Sequence, residues 1–365
     1  MRAPSRVLAA QWTTVVPVVA VVALIFSWGR DLPVLVVVLV ALCLAGAVLA
    51  AVHHAEVIAH RVGEPFGSLV LAVAVTVIEV ALIVTLMADG GSKYSSLARD
   101  TVFAAVMITC NGIVGLSLLV GAVRRGVAVF NAEGSGTALS AVAALATLTM
   151  VLPRFTKTPG PEFSGPQLAF AAIASLCLYG LFVAVQTVRH RDYFLPVTQE
   201  GEIQDEEGHA PPPGRRAALF SLGLLLVALI AVVGNAKAIS PALESGVASA
   251  GLPHAVVGVV IALLVLLPET LAAVRAARRD RIQTSLNLGL GSAMASIGLT
   301  IPAIALASVW LSGPLLLGLG ATHMVLLALT VAVGALTIVP GRATLMQGGI
   351  HLAIFAAFVF LAVSP

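Results

Sequence analysis

Charge is scarce in this sequence. Asp, Glu, Lys and Arg together make up 10% of its 365 residues, against about a quarter in soluble proteins, which excludes an ordinary soluble enzyme. Aromatic residues amount to 5%, and lysine occurs only at Lys93, Lys157 and Lys237. The basic residues fall in small clusters with few aromatics between them, so no nucleic-acid partner is expected. Cysteine is confined to Cys43, Cys110 and Cys177, each alone in an apolar run. Without CxxC spacing they read as buried thiols, neither disulfide nor metal site. There is no Walker A sequence and no HExxH, so neither ATP hydrolysis nor zinc proteolysis is signalled and no cofactor is expected. What abounds is hydrocarbon. Hydrophobic residues make up 59% of the chain and mean hydropathy is +1.05, enough for ten or eleven membrane spans at roughly 20 residues each. The lipid bilayer is the expected solvent.

Turns and charges divide the chain into eleven apolar segments, centred near residues 20, 42, 77, 111, 145, 177, 227, 264, 298, 325 and 354. The first, Val15 to Phe26, is followed by Trp28-Gly-Arg-Asp with no small-residue cleavage site, and reads as a retained helix. The sharpest change of composition is the acidic, proline-bearing stretch 189–216, a solvated linker. It separates an N-terminal extra helix (1–31) and a five-helix half (32–188) from a second five-helix half (217–365). With the N-terminus cytoplasmic, inner segments hold 14 of the 20 basic residues, and Arg30, Lys93, Arg99, Arg154, Lys157 and Lys237 lie outside. Positive charge thus predicts a multi-pass protein of the cytoplasmic membrane with its C-terminus outside. Five spans on each side of the linker invert one half relative to the other, an arrangement common among secondary transporters.

Two acids are in the wrong place. Fifteen of the 17 lie in loops or at helix ends, but Glu79 sits in VTVIEVALI and Glu269 in LLVLLPETL. An ionised carboxylate at that depth is costly. No Lys or Arg is embedded in a span as a fixed counter-ion, and the two acids occupy corresponding spans, GEPFGSLVLAVAVTVIEV and GLPHAVVGVVIALLVLLPET. Inverted topology lets them meet from opposite sides, and a mobile cation is the simplest compensation. Burial favours the protonated carboxyl and a cation favours the ionised one, so protons and metal compete for the same oxygens. Two carboxylates suit a hard divalent cation such as Ca2+, which wants six to eight oxygens.

Further oxygens have candidate sources. Pro268 removes the N–H that a helix would direct to the Leu264 carbonyl, and a broken helix is a usual device for exposing backbone oxygen at membrane depth; an innocent kink is the competing reading. Thr76 offers a hydroxyl one turn before Glu79. Spans four and nine contain ITCNGIVGLSLLVG and LGLGSAMASIGLTIP, in which Asn111 and Ser292 are candidates to line an ion path, and Gly112, Gly115, Gly289 and Gly291 permit close helix approach.

These segments resemble the calcium/cation antiporter superfamily, most closely its ChaA-type calcium/proton antiporters in the cation/proton exchanger branch. The likeness runs from about His53 to Phe360 and includes the two Glu-bearing repeats, AVFNAEGSGTALSAVAALATLTMVLPRF, YGLFVAVQTVRH and GRATLMQGG. The resemblance implies an all-α membrane protein of about eleven helices: two inverted five-helix repeats, an extra first helix and an acidic cytoplasmic linker. It implies that Glu79 and Glu269 bind the cation, with Asn111, Gly291 and Ser292 on small polar positions of the following helices. Ala295 stands where many members carry Gln, and Gln347 where many carry Glu.

The weaker signals have bland readings beside the functional ones. His53, His54, Glu56 and His60 form either a pH sensor or a solvated helix extension. Glu64, before Pro65, either guides cations or opens a helix. The linker acids Glu200, Glu202, Asp205, Glu206 and Glu207, with His209, lack EF-hand spacing and read as a tether. His323 and His351 read as hydrogen-bonded packing residues. The expected function is export of cytosolic Ca2+ in exchange for H+ by alternating access. Na+/H+ or K+/H+ exchange on the same scaffold is the alternative, and an intramembrane enzyme the remote one, since no Asp lies deep in a span and no metalloprotease motif is present.

Overall fold

The structure, a computed structural model, describes residues 4–63, 66–90, 95–198, 213–253, 255–311 and 313–364. Its helices are α1 Pro4–Ser27, α2 Val34–Val62, α3 Phe66–Gly90, α4 Leu97–Met107, α5 Val114–Arg125, α6 Ala132–Ala146, α7 Gly165–Ala184, α8 Arg215–Ser249, α9 Ala255–Val265, α10 Leu267–Arg278, α11 Ile282–Ala295, α12 Ile301–Ala307, α13 Ala321–Ile338 and α14 Leu345–Val363. Helix occupies each of the eleven apolar segments. The protein is an all-α polytopic membrane protein. Among the described residues eight helices are long and apolar enough to cross a bilayer, and α9 with α10, bent by 51° at their junction, makes a ninth. Trp12–Ser27 and Ala72–Ala88 are shorter apolar helices.

The chain divides into two compact units, Met1–Asp89 with His209–Val257, and Gly90–Gly208 with Gly258–Pro365. In the first, α1, α2 and α8 pack together. Close approach is built in by glycine: a Cβ on Gly234 would lie 2.4 Å from Leu24 Cδ2, and one on Gly46 would lie 2.9 Å from Val16 Cγ1. His54 joins all three helices, its Nε2 lying 3.0 Å from the Thr13 carbonyl and its Nδ1 3.3 Å from Ser221 Oγ. This corrects the reading of the histidine cluster as a solvated extension: His53, Glu56 and His60 are exposed, but His54 is buried. Asn235 Nδ2 donates to the Ala20 carbonyl at 2.8 Å, a second tie between α8 and α1. Helix α8 is 35 residues long, longer than the hydrocarbon thickness. Lys237 lies about 33 Å along it from Arg215 at 1.5 Å per residue, so the two charges sit at opposite edges of the apolar layer. Lys237 Nζ lies 5.6 Å from the Trp28 ring centroid, a pairing typical of the membrane interface.

The second unit holds α4–α7 and α10–α14. Its spans Leu97–Arg125 and Ile282–Ala307 are each continuous through a π-helical turn, Ile108–Ile113 in one and Ser296–Thr300 in the other. A short antiparallel ladder, β1 Val127–Val129 on β2 Arg342–Thr344, ties the end of α5 to the start of α14. Here Gln347 fills the acidic position of a capping box, its Oε1 accepting from the Thr344 N–H at 2.7 Å. The thiols are not uniformly buried as the sequence suggested. Cys110 is buried, but Cys177 is exposed on the outer face of α7 and Cys43 is intermediate, because an apolar outer face is as good a place for a small thiol in lipid as a core. Glu64 and the linker acids with His209 lie outside the described residues.

Candidate functional site

Glu79 lies near the middle of α3, 4% exposed, with Thr76 one turn earlier at 7%. The helix is unbroken from Phe66 to Gly90, as expected for a run without proline. The carboxylate stands in mid-helix, away from both ends of α3. Both residues belong to the first compact unit.

Glu269 belongs to the second unit and has a different setting. Pro268 and Glu269 occupy the first turn of α10, directly after the bend at Leu266 (φ −87°, ψ 1°). Pro268 is buried and Glu269 half-buried. A place in the first turn puts Glu269 at the end of the helix dipole that favours negative charge. Thr270 closes the turn, its N–H and hydroxyl both donating to the Leu266 carbonyl at 2.9 and 2.7 Å. The proline therefore does more than kink a helix: it creates a helix start, with an acid in its first turn, at membrane depth.

Asn111 is fully buried in the π-helical turn between α4 and α5. The Thr330 hydroxyl donates to the Leu326 carbonyl at 2.7 Å, so toward Asn111 it can only accept, and Asn111 Nδ2 donates to it at 2.9 Å. The carboxamide oxygen accordingly faces His351 Nδ1 at 3.1 Å. That nitrogen carries the proton, and His351 Nε2, 3.2 Å from Thr337 Oγ1, accepts from the threonine hydroxyl. Four buried side chains from three spans thus satisfy one another, the condition under which polar groups persist in an apolar interior. His351 is a packing residue in the sense expected. Asn111 has its amide engaged with α13 and α14.

The glycines divide sharply. A Cβ on Gly115 would lie 2.8 Å from His351 Cβ, and one on Gly289 would lie 3.3 Å from Ile113 Cγ2 and 3.5 Å from the Thr109 carbonyl. These two set helix spacing. Gly112 has ordinary room, 3.6 Å from the Phe355 ring, and Gly291 has nothing within 4 Å. Ser292 beside it is half-buried, and Ala295 is buried and apolar. Ser285 ties three helices, donating to the Ala273 carbonyl of α10 at 2.7 Å and lying 2.6 Å from Ser117 Oγ of α5. Among the described residues no three His, Cys, Asp or Glu side chains cluster as a metal site.

Sequence reasoning passed over Asp100. It is 8% exposed in the first turn of α4, paired with Arg99 Nη2 at 2.7 Å and accepting from Ser96 Oγ at 2.9 Å. Arg99 also reaches the Gly318 carbonyl. The adjacent Arg-Asp pair at a helix start was the available signal. Thr300, fully buried at the end of the second π-helical turn, carried no signal beyond its place in the ninth apolar segment.

Two isolated acids in apolar spans, one of them beside a break inside the bilayer, in a chain of this apolarity, define a membrane ion transporter. The sodium/calcium exchanger protein family model matches residues 32–188 and 220–364, and the chain belongs to that family. It is an ion exchanger of the corresponding superfamily, and its relatives are transporters rather than enzymes. It is 46% identical to the putative ionic transporter y4hA of Sinorhizobium fredii (strain NBRC 101917 / NGR234), over 97% of this chain and 96% of that one. It is 35% identical to the sodium-potassium/proton antiporter ChaA of Escherichia coli (strain K12), over 94% and 93% of the two chains. Its fold is similar to that of the H+/Ca2+ exchanger CAX, with a TM-score of 0.73 at 14% identity over 98% and 89% of the chains. It is also similar to native YfkE, with a TM-score of 0.70 at 15% identity over 97% and 99%.

Proposed function

We propose that the protein is a proton-coupled cation antiporter in which Glu79 and Glu269 carry the exchanged ions, each holding a proton or sharing the cation in alternation. The observation that carries this reading is the burial of Glu79 in the middle of an apolar helix. A carboxylate there is tolerable only when its charge is cancelled, and a group cancelled in turn by H+ and by a metal ion is a coupling device. Glu269, half-buried in the first turn of α10 after Pro268, stands at a helix start that favours its ionised form. Thr76 is the proposed supporting residue beside Glu79, and Pro268, Gly112, Gly291, Ser292 and the Asn111 turn are those proposed for Glu269.

Calcium is the proposed cargo, since two carboxylates supply two charges and up to four hard oxygens. The protein then exports Ca2+ from the cytoplasm across the cytoplasmic membrane, with its N-terminus inside and its C-terminus outside. A specific observation favours a second cargo: the 35% identical relative is a sodium-potassium/proton antiporter, and Ala295 provides no polar ligand. Na+ or K+ exchange for H+ is therefore the competing reading of the same site.

Purified full-length protein in proteoliposomes with an inward-acid pH gradient tests both. The expected result is that external Ca2+ collapses the gradient and that Glu79→Gln and Glu269→Gln each abolish the response while inserting normally. If Na+ or K+ collapses it and Ca2+ does not, the cargo is monovalent. If both variants exchange as wild type does, the glutamates are not the site.

A further inference from the structure

A cavity of about 430 Å³ opens where α5 and α10 end, and Arg124, Arg125, Ala277, Arg278, Arg279 and Asp280 line it. Its volume falls within the about 300–1,000 Å³ range of small-molecule sites. Four of its six lining residues are arginines and one is an acid, within the second compact unit.

The walls are built rather than incidental. Asp280 adopts φ 63° in the turn after α10, a conformation that costs a non-glycine residue energy. Its N–H donates to the Ala277 carbonyl at 3.1 Å, and the Arg281 N–H to the Ala276 carbonyl at 3.0 Å, which closes the helix. This turn aims the Asp280 carboxylate at Arg125, 3.1 Å away. Arg124 reaches across the cavity and donates to the Arg278 backbone carbonyl, capping the negative end of α10. Those two contacts account for Arg124 and Arg125. The side chains of Arg278 and Arg279 are exposed, and among the described residues no carboxylate pairs with either. Four guanidiniums therefore surround one cavity against a single carboxylate. The position matters too: Arg125 closes the span Leu97–Arg125 and Arg278 closes the bent span that begins at Ala255, so the cavity opens at the edge of the apolar layer, where lipid headgroups lie.

We propose that this arginine-lined cavity binds the phosphate of an anionic lipid headgroup. The fork geometry of guanidinium suits phosphate oxygens, and a basic pocket between spans at the cytoplasmic surface is where such headgroups are held. The bound phosphate bridges the ends of α10, which carries Glu269 in its first turn, and α5, which follows the Asn111 turn. The site itself does not depend on which cation is exchanged.

Native mass spectrometry of the full-length protein, released from detergent with phosphatidylglycerol or phosphatidylcholine, tests the proposal. Wild type is expected to retain phosphatidylglycerol and not phosphatidylcholine. The double variant Arg278→Gln/Arg279→Gln keeps the backbone carbonyl that Arg124 uses and is expected to bind phosphatidylglycerol about twenty-five-fold more weakly, at about fivefold per arginine. The control Arg215→Gln/Arg216→Gln, which removes two exposed arginines from the start of α8, is expected to bind as wild type does. Equal loss in both double variants, or none in the first, overturns the proposal. Displacement of the lipid by millimolar inorganic phosphate assigns the site to free phosphate and overturns the lipid; undiminished retention supports it.

Discussion

Gly348 and Gly115 face each other where α14 crosses α5, and replacing either with alanine tests how tightly this interface is built. A Cβ on Gly348 would lie 2.7 Å from the Leu119 backbone N and 3.0 Å from the Gly115 carbonyl. Non-bonded carbons settle at about 3.5–4.0 Å, so the helices must part by ~0.7 Å, and a gap of that size forfeits a quarter to a half of each dispersion contact it opens. Overpacking of this kind costs about 1–3 kcal/mol. Gly348→Ala belongs at the upper end, because its nearest atoms are backbone and no side chain can rotate away. Helix propensity returns about 1 kcal/mol for Gly→Ala, leaving a net loss of about 1–2 kcal/mol. Gly291, with nothing within 4 Å, receives the propensity gain without the clash, so Gly291→Ala is expected to be neutral or stabilising by up to about 1 kcal/mol. Reversible unfolding in mixed detergent micelles of increasing dodecyl sulfate fraction measures both. A Gly348→Ala protein as stable as wild type, or a Gly291→Ala protein less stable than Gly348→Ala, refutes the packing argument.

Other outcomes follow from contacts of the same kind. His351→Leu strips partners from Asn111 Oδ1 and Thr337 and is expected to cost about 1–2 kcal/mol in the same unfolding assay; His351→Asn, which can still donate toward Asn111, should lose about half as much, and equal losses would show that the ring's volume rather than its hydrogen bonds matters. Pro268→Ala restores a donor for the Leu264 carbonyl and straightens the 51° break, so stability should rise by up to about 3 kcal/mol while proteoliposome exchange slows; unchanged exchange would make the break ornamental. His54→Leu removes the ties to Thr13 and Ser221 and should lower stability by about 1–2 kcal/mol with little pH dependence, because the ring is a buried brace; a shifted pH profile of exchange with unchanged stability would restore it as a sensor.

The helical content and the segment positions were legible because the bilayer makes hydrophobicity itself the signal: a segment as apolar as 97–125 has nowhere else to go. Glu79 and Glu269 were legible for the complementary reason, as charges against an apolar background. The bend at Pro268 followed from one missing N–H. The parts that escaped notice are those in which apolar composition is indifferent to geometry. A π-helical turn inserts one residue into a helix without disturbing a run in which every face is apolar, so Ile108–Ile113 and Ser296–Thr300 left no periodic trace. The same indifference concealed which glycines matter. Gly115 and Gly291 look alike in sequence, and only the presence of α14 against one of them separates a spacing residue from a vacant position.

The difference between the two glutamate helices carries the argument one step further. The halves share a Gly-x-Pro start and one deep acid, yet α3 runs unbroken through Glu79 while the second half breaks immediately before Glu269. Helices that share a sequence pattern need not share their electrostatics, and here they do not: one acid stands at the start of its helix, where backbone dipoles favour its charge, and the other stands in the middle of its helix. Pro268→Ala removes that distinction without touching either carboxylate. If cation affinity falls in that variant while Glu79 and Glu269 remain intact, the helix start, and not the acid alone, is what makes Glu269 a binding group.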